Sequence, residues 1–255
     1  MKTLVPLLGV LGMLLGNAAS AVQVQAMLEW SRRVELSTPV SGTVTEVNVE
    51  PGNQVKKGQV LLRLDPRGFQ ANVLQARARV ESTIAARKEA HRELERAQDL
   101  YDRTVLSDHE LQLAKIAFAK ADAAYSAAQA GLTEAQLTLE YSAVRAPFDG
   151  IVIDRKVDVG QAVVSEITSE PLVVLAAAGR MIARASVAEA QLAGLSVGQS
   201  VRVTIGGKTY QGKVKHIGLE PVAQAQGAVT YPVDVEFPTG AEVLRAGQPA
   251  SLDLP

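Results

Sequence analysis

Apolar and polar positions follow two different rhythms along this chain. In residues 22–66 and again in 143–255, short runs rich in Val, Ile and Thr alternate with polar residues and break at Gly and Pro, as half-buried strands do. Between them, residues 69–142 hold no proline and one glycine, Gly131, and are crowded with Ala, Leu, Glu, Gln and Arg. The second half of that block reads Leu111, Ala114, Phe118, Ala121, Tyr125, Ala128, Leu132, Ala135, Leu139. Steps of three and four make a heptad seam, with a large residue at every a position and alanine at every d position. The first half gives a weaker counterpart in Val73, Ala76, Val80, Thr83, Arg87, Ala90, Leu94, Ala97 and Tyr101. Large facing small lets two antiparallel helices approach closely. Each would run for roughly 35 residues, about 50 Å at 1.5 Å per residue, too long to fold back into a small core.

Capping residues mark the ends of these helices. Asp65-Pro66 offers an acceptor and a proline suited to the first helical position. Ser107 with Glu110 three residues on forms a capping box, for which Asp would cap about as well as Ser. The turn therefore falls near residues 102–106 and carries Val105 and Leu106, two apolar side chains far from any core.

The flanking β segments contain a repeat. Pro39-x-x-Gly42 recurs as Pro147-x-x-Gly150, Gly52 as Gly160, and Val44, Val49 and Val55 as Val152, Val157 and Val163, all at one offset. Six positions in register mean two copies of one half-domain, with the helical block inserted between them. The run holding Val44, Val47 and Val49 reads as a strand with a local irregularity. Further on, residues 201–205 and 210–214 flank Gly206-Gly207 as a hairpin, and Tyr231, Val233, Val235 and Phe237 alternate, as do Leu252 and Leu254. Residues 188–195 read as one short helix, and the whole C-terminal part as an antiparallel barrel or sandwich.

Composition narrows the function. Net charge is -1, with Lys+Arg 26 against Asp+Glu 27, and aromatics are 4%, so neither an electrostatic nor a stacking case exists for nucleic acid. The absence of cysteine excludes disulfides, thiol chemistry and a lipoprotein anchor cysteine. Lys2, the apolar run Leu4 to Leu15 and Ala19-Ser20-Ala21 predict a signal peptide over residues 1–21, with an uncleaved anchor as the alternative. No phosphate-cradling glycine loop, nucleophile elbow or zinc-helix motif is present. His91, His109 and His216 lie in different segments, and Met27 and Met181 are isolated, which speaks against a metal site. No catalytic residue, cofactor or metal is expected.

In this order, "PVSGTVTEVNVEPGNQVKKGQVLLRLDP" (39–66), the helical hairpin, "VRAPFDGIVIDRKVDVGQAV" (144–163) and "VAEAQLAGLSVGQSVRV" (187–203) resemble the periplasmic adaptors, or membrane fusion proteins, of tripartite efflux pumps. The resemblance implies a mainly β chain with an inserted α-helical hairpin: a lipoyl-like barrel-sandwich, split by an antiparallel coiled coil and followed by a β-barrel. It divides the chain into an N-terminal strand joining the barrel (22–37), lipoyl half-motifs at 38–66 and 143–178, the hairpin at 67–142 and the barrel at 179–255. A membrane-proximal fourth domain is expected to be absent or minimal. The implied function is a non-enzymatic periplasmic link, associated with the inner membrane. It would join an inner-membrane efflux transporter of the resistance-nodulation-division type to a TolC-type outer-membrane channel. Six copies are expected to assemble. Adaptors that engage such channels carry Arg, then Leu four residues on, then Ser seven further, a spacing met by Arg96, Leu100 and Ser107, with Val105 and Leu106 as further tip contacts. Two alternatives remain: an ATP-binding-cassette exporter as the transporter, and a biotin or lipoate carrier domain.

Overall fold

The computed structural model describes residues 22–165, 170–222, 229–240 and 242–254. The segment expected to be a signal peptide lies outside them. Among the described residues two compact units emerge, one of residues 22–31 with those from 179 onward and one of those from 32 to 178.

The second unit is the lipoyl-like barrel-sandwich. Its strands are β2 (Arg33–Leu36), β3 (Gly42–Val47), β4 (Gln54–Val55), β5 (Val60–Leu64), β6 (Ala143–Arg145), β7 (Gly150–Arg155), β8 (Ala162–Val163) and β9 (Val173–Ala177), numbered after β1 (Val22–Trp30) of the other unit. They form two four-stranded sheets, β2-β9-β7-β4 and β6-β5-β3-β8. Between them lie Val44, Val49, Val55, Leu61, Leu62, Leu64, Val144, Val152, Val157 and Leu175, all buried.

The repeat is a structural pseudo-twofold. Gly52 donates its N–H to the Val152 carbonyl at 2.8 Å, and Gly160 donates to the Val44 carbonyl at 2.8 Å. Both glycines have left-handed φ, +92° and +89°, which a side chain would strain. The irregularity expected in the first copy is a register shift between Val44 and Glu46 against β5, and it recurs between Val152 and Asp154 against β9. Residues 33–36 of the stretch before the first half-motif belong to this unit, where β2 pairs with β9.

Strands β5 and β6 are neighbours in one sheet, yet the chain between them runs through α1 (Arg67–Asp102) and α2 (Asp108–Tyr141). All nine seam positions of α2 are buried or half-buried, Leu111 and Ala128 most deeply. In α1 the seam positions are likewise withdrawn from solvent except Arg87 and Tyr101. At the start of α1, Asp65 Oδ1 accepts the Arg67 N–H at 3.1 Å, while the Arg67 guanidinium folds back onto the same carboxylate. Those hydrogen bonds hold the Asp65 carboxyl at about 2, below its ordinary range. Pro66 already has helical φ and ψ, and its carbonyl takes the Gln70 N–H at 2.8 Å.

The first unit is a closed six-stranded barrel, ordered β1-β10-β13-β12-β11-β14, made with β10 (Arg180–Ala188), β11 (Ser200–Ile205), β12 (Lys208–Ile217), β13 (Thr230–Pro238) and β14 (Pro249–Leu254). The short helix α3 (Glu189–Leu192) follows β10. Strand β1 closes the barrel between β10 and β14. Leu28, Val203, Val235, Phe237 and Leu252 fill the interior. The outer wall carries ion pairs, among them Arg184 with Asp234 and Glu29, and Glu236 with both Arg180 and Lys215.

Candidate functional site

The hairpin turn is built by two capping devices that meet. At the end of α1, Thr104 donates its N–H to the Tyr101 carbonyl at 2.8 Å and Val105 donates to the Leu100 carbonyl at 3.0 Å. This is the Schellman pattern, and it places Thr104 at φ +59°, where glycine or asparagine normally sits. Thr104 is the one non-glycine residue with positive φ among the described residues. A β-branched side chain there costs roughly 1–2 kcal/mol, strain of the kind that concentrates at functional turns. Sequence reasoning missed it, because threonine carries no turn signal of its own; only the closeness of the two caps requires the left-handed residue.

At the start of α2, Glu110 N–H donates to Ser107 Oγ at 3.3 Å, and Ser107 N–H donates to Glu110 Oε2 at 3.0 Å, completing the box. The Ser107 hydroxyl also donates to Glu110 Oε2 at 2.7 Å. These bonds push the Glu110 carboxyl below its ordinary range. The geometry changes the expected equivalence of Asp and Ser here: an Asp side chain would set a second carboxylate against Glu110, so asparagine is the better isosteric cap. Ser107→Ala should cost α2 about 1 kcal/mol and Ser107→Asn a few tenths at most. Urea denaturation followed by helical circular dichroism measures both.

The other expected contacts sit on either side of this turn. Arg96 is exposed, one helical turn before Leu100, and its guanidinium reaches Glu93 at 3.1 Å. A surface pair of this kind is worth at most about 1 kcal/mol, so the planar donor fork can be recruited by a partner. Leu100 and Leu106 are half-buried, whereas Val105 is 71% exposed. Arg103 pairs with Asp99 at 3.7 Å. The turn thus combines one open apolar side chain, two partly withdrawn leucines and cations held by weak intrahelical pairs. Leu113 and Ile116, 52% and 49% exposed on α2, extend the apolar surface past the expected residues. Their signal in the sequence was their place outside the heptad seam.

Elsewhere the chemistry is sparse. Among the described residues no three His, Asp or Glu side chains come together as a metal site. Lys56 and Lys57, in the turn between Gly52 and Gly58, donate backbone N–H groups to Gln59 Oε1 and Asp149 Oδ1. No helix among the described residues is long and apolar enough to cross a membrane.

A lipoyl-like sandwich opened by a coiled-coil hairpin and accompanied by a six-stranded barrel is the architecture of a membrane fusion protein. Residues 32–175 match the family model described as RND MFP, barrel-sandwich hybrid domain, and the chain belongs to that family. It is 29% identical to the macrolide export protein MacA of Yersinia pestis, over 89% of this chain and 66% of that protein. It is 33% identical to the multidrug resistance protein MdtA of Pectobacterium atrosepticum, over 55% of this chain and 34% of that protein. The chain thus spans less than two thirds of the length of either relative. Among solved structures it superposes on a MacA–MexA chimera carrying the Pseudomonas aeruginosa MexA α-hairpin, with a TM-score of 0.71 and 26% identity over 94% of this chain and 83% of the chimera. It shares the fold of Spr0693 from Streptococcus pneumoniae, with a TM-score of 0.72 and 20% identity over 92% of this chain and 99% of the other.

Proposed function

We propose that this chain is a periplasmic adaptor that couples an inner-membrane efflux transporter to a TolC-type outer-membrane channel, without catalysing a reaction itself. The observation that carries the proposal is the hairpin: a polar-surfaced coiled coil about 50 Å long whose turn presents apolar and cationic side chains that no core absorbs. In this reading Arg96 offers its donor fork to acceptors on the channel, Leu100 and Val105 fill apolar grooves between the channel's helix ends, and Leu106 lines the same contact. Ser107 keeps the turn in shape through its cap and meets the partner beside it. Six copies side by side would multiply this weak contact into a ring.

The transporter proposed is of the resistance-nodulation-division type, supported by the family model over residues 32–175. A second reading has an observation of its own: the relative aligned over 89% of the chain is a macrolide export protein, consistent with an ATP-binding-cassette exporter as the partner. Co-purification with a transporter of each class separates the two.

The tip assignment is tested by capturing the channel on immobilised adaptor. Arg96→Asp reverses the charge at an exposed site and should reduce capture by about tenfold or more, equivalent to about 1.4 kcal/mol. Equal capture by wild type and variant would sink the assignment.

A further inference from the structure

The six barrel strands alternate in direction, and the two ends of the barrel are unlike. One end gathers the starts of β1, β11 and β13 with the finishes of β10, β12 and β14, as the pairings Val22 with Leu254, Ala188 with Thr230 and Arg202 with Asp253 show. Five large apolar side chains are exposed there: Val22 at the start of β1, Val197 in the turn before β11, and Leu219, Val222 and Val229 between β12 and β13. Their exposures run from 39% at Val22 to 92% at Leu219. Among its described residues the rest of this unit exposes two such side chains, Met27 on the wall and Val243 between β13 and β14 at the other end. Apolar side chains scattered singly over a surface are ordinary; gathered at one end they mark a contact.

The backbone holds these side chains outward. Gly218 passes so close to Pro232 that a Cβ would lie 2.4 Å from the proline ring, and its N–H donates to the Pro232 carbonyl at 2.7 Å. Further on, the Val222 N–H donates to the Thr230 carbonyl at 2.8 Å. Pinned on both sides, the chain turns Leu219 into solvent. Val197 sits in a turn closed by the Gln199 N–H to the Ser196 carbonyl at 3.1 Å and the Ser196 N–H to Gln199 Oε1 at 2.9 Å, with Gly198 at φ +90°. The same turn recurs at the opposite end, where Arg245 N–H donates to Gln248 Oε1 at 3.1 Å and Gly247 has φ +84°. There the position of Val197 is taken by Ala246, so the turn itself does not call for valine.

Residues 1–21, expected to direct export or to remain as an anchor, join the barrel at Val22, on this same end. We infer that this end of the barrel seats on a phospholipid bilayer, with Val197, Leu219, Val222 and Val229 entering the boundary between headgroups and acyl chains. A bilayer suits these side chains better than a protein partner does. They are aliphatic and lie on separate loops, and residues 189–199 and 218–229 contain neither arginine nor tryptophan, the usual anchors of protein interfaces. Glu189 and Glu220 are the only charges in these two loops, so no cation draws them to an anionic surface and the contact is indifferent to salt. Weak seating suffices for a chain held nearby by its own N-terminus or by neighbouring copies. Which membrane is met rests on the periplasmic reading above, which makes it the inner one; the affinity for lipid does not.

The chain has no cysteine, so one introduced thiol can carry a polarity-sensitive fluorophore at a chosen site. In the full chain reconstituted with phosphatidylcholine vesicles, a reporter at Val197→Cys or Leu219→Cys should shift to the blue and be quenched by brominated lipid. A reporter at Val243→Cys, exposed at the other end, should stay water-like. Leu219→Glu, at a position too exposed for folding to need it, should lower the seated fraction read by the Val197 reporter by about tenfold or more. Leu219→Ile should leave that fraction nearly unchanged, and so should added salt. Reporters at 197 and 219 that remain water-like and unquenched overturn the proposal. Equal quenching at 243 overturns it too, because the N-terminal segment would then hold the chain without orienting the barrel. Quenching lost in salt would mean adsorption by charge, and protection seen only when a transporter is added would mean a protein contact; either result overturns it. The vesicles hold no channel or transporter, so failure here is distinguishable from failure of the coupling tested with Arg96→Asp.

Discussion

Gly150→Ala should destabilise the sandwich by about 3 kcal/mol, while Gly42→Ala, its counterpart in the other half-motif, should cost under about 1 kcal/mol. A Cβ at Gly150 would lie 2.4 Å from the Ala176 carbonyl oxygen and 3.1 Å from two atoms of Leu175. A backbone oxygen in a paired strand cannot step aside, so β7 and β9 would have to separate where Gly150 pairs with Ala177. At Gly42 the nearest atoms belong to the Leu64 side chain at 3.4 Å, an ordinary contact. The inserted hairpin explains the asymmetry. Strand β9 reaches Gly150, which pairs with its last residue, Ala177, whereas the ladder between β3 and β5 begins at Val44 with Leu64 and leaves Gly42 outside it. Beyond Leu64 the chain turns into Asp65-Pro66 and leaves the sheet, which opens room beside Gly42. Urea denaturation of both variants gives the comparison, and equal losses would contradict this account.

Phe237→Ala should cost the barrel about 3–5 kcal/mol, the usual toll of deleting a buried aromatic. Phe237 is 1% exposed, pairs with Met181 across β10, and packs its ring 5.4 Å from that of Tyr210. Tyr210 cannot swing in to fill the cavity. Its hydroxyl donates to Glu242 Oε2 at 2.7 Å, and Glu242 in turn holds Lys208 at 2.9 Å. A site that cannot collapse lies at the upper end of the range. Leu219→Ala is the matched control: Leu219 is 92% exposed, and its truncation should fall within about 0.5 kcal/mol. Thermal melting of the two variants side by side checks both values, and a small loss at Phe237 would mean that the interior relaxes.

The constant offset of the repeat announced the pseudo-twofold, and even the irregularity between Val44 and Val49 was visible as a break in alternation. The heptad spacing of Leu111 through Leu139 specified which face of α2 would be covered. Both follow from backbone period alone, so local pattern suffices. The capping box at Ser107 was legible for the same reason, since it is closed within four residues.

Other features needed partners distant in the chain. That Gly150 is indispensable while Gly42 has room depends on where β9 and β5 end, although the two glycines look identical in the sequence. That Thr104 must adopt a left-handed backbone depends on two caps meeting in a five-residue turn. Arg87 stands in the seam of α1 where an apolar residue is expected; only the structure shows that it meets Asp122, Phe118 and Tyr125 across the seam. By itself the sequence determined the elements and their covered faces, because periodicity and capping are properties of neighbouring residues. Tertiary structure decided the partners of Arg87, the strained turn and the unequal glycines, because each depends on which distant strand or helix occupies the adjoining space.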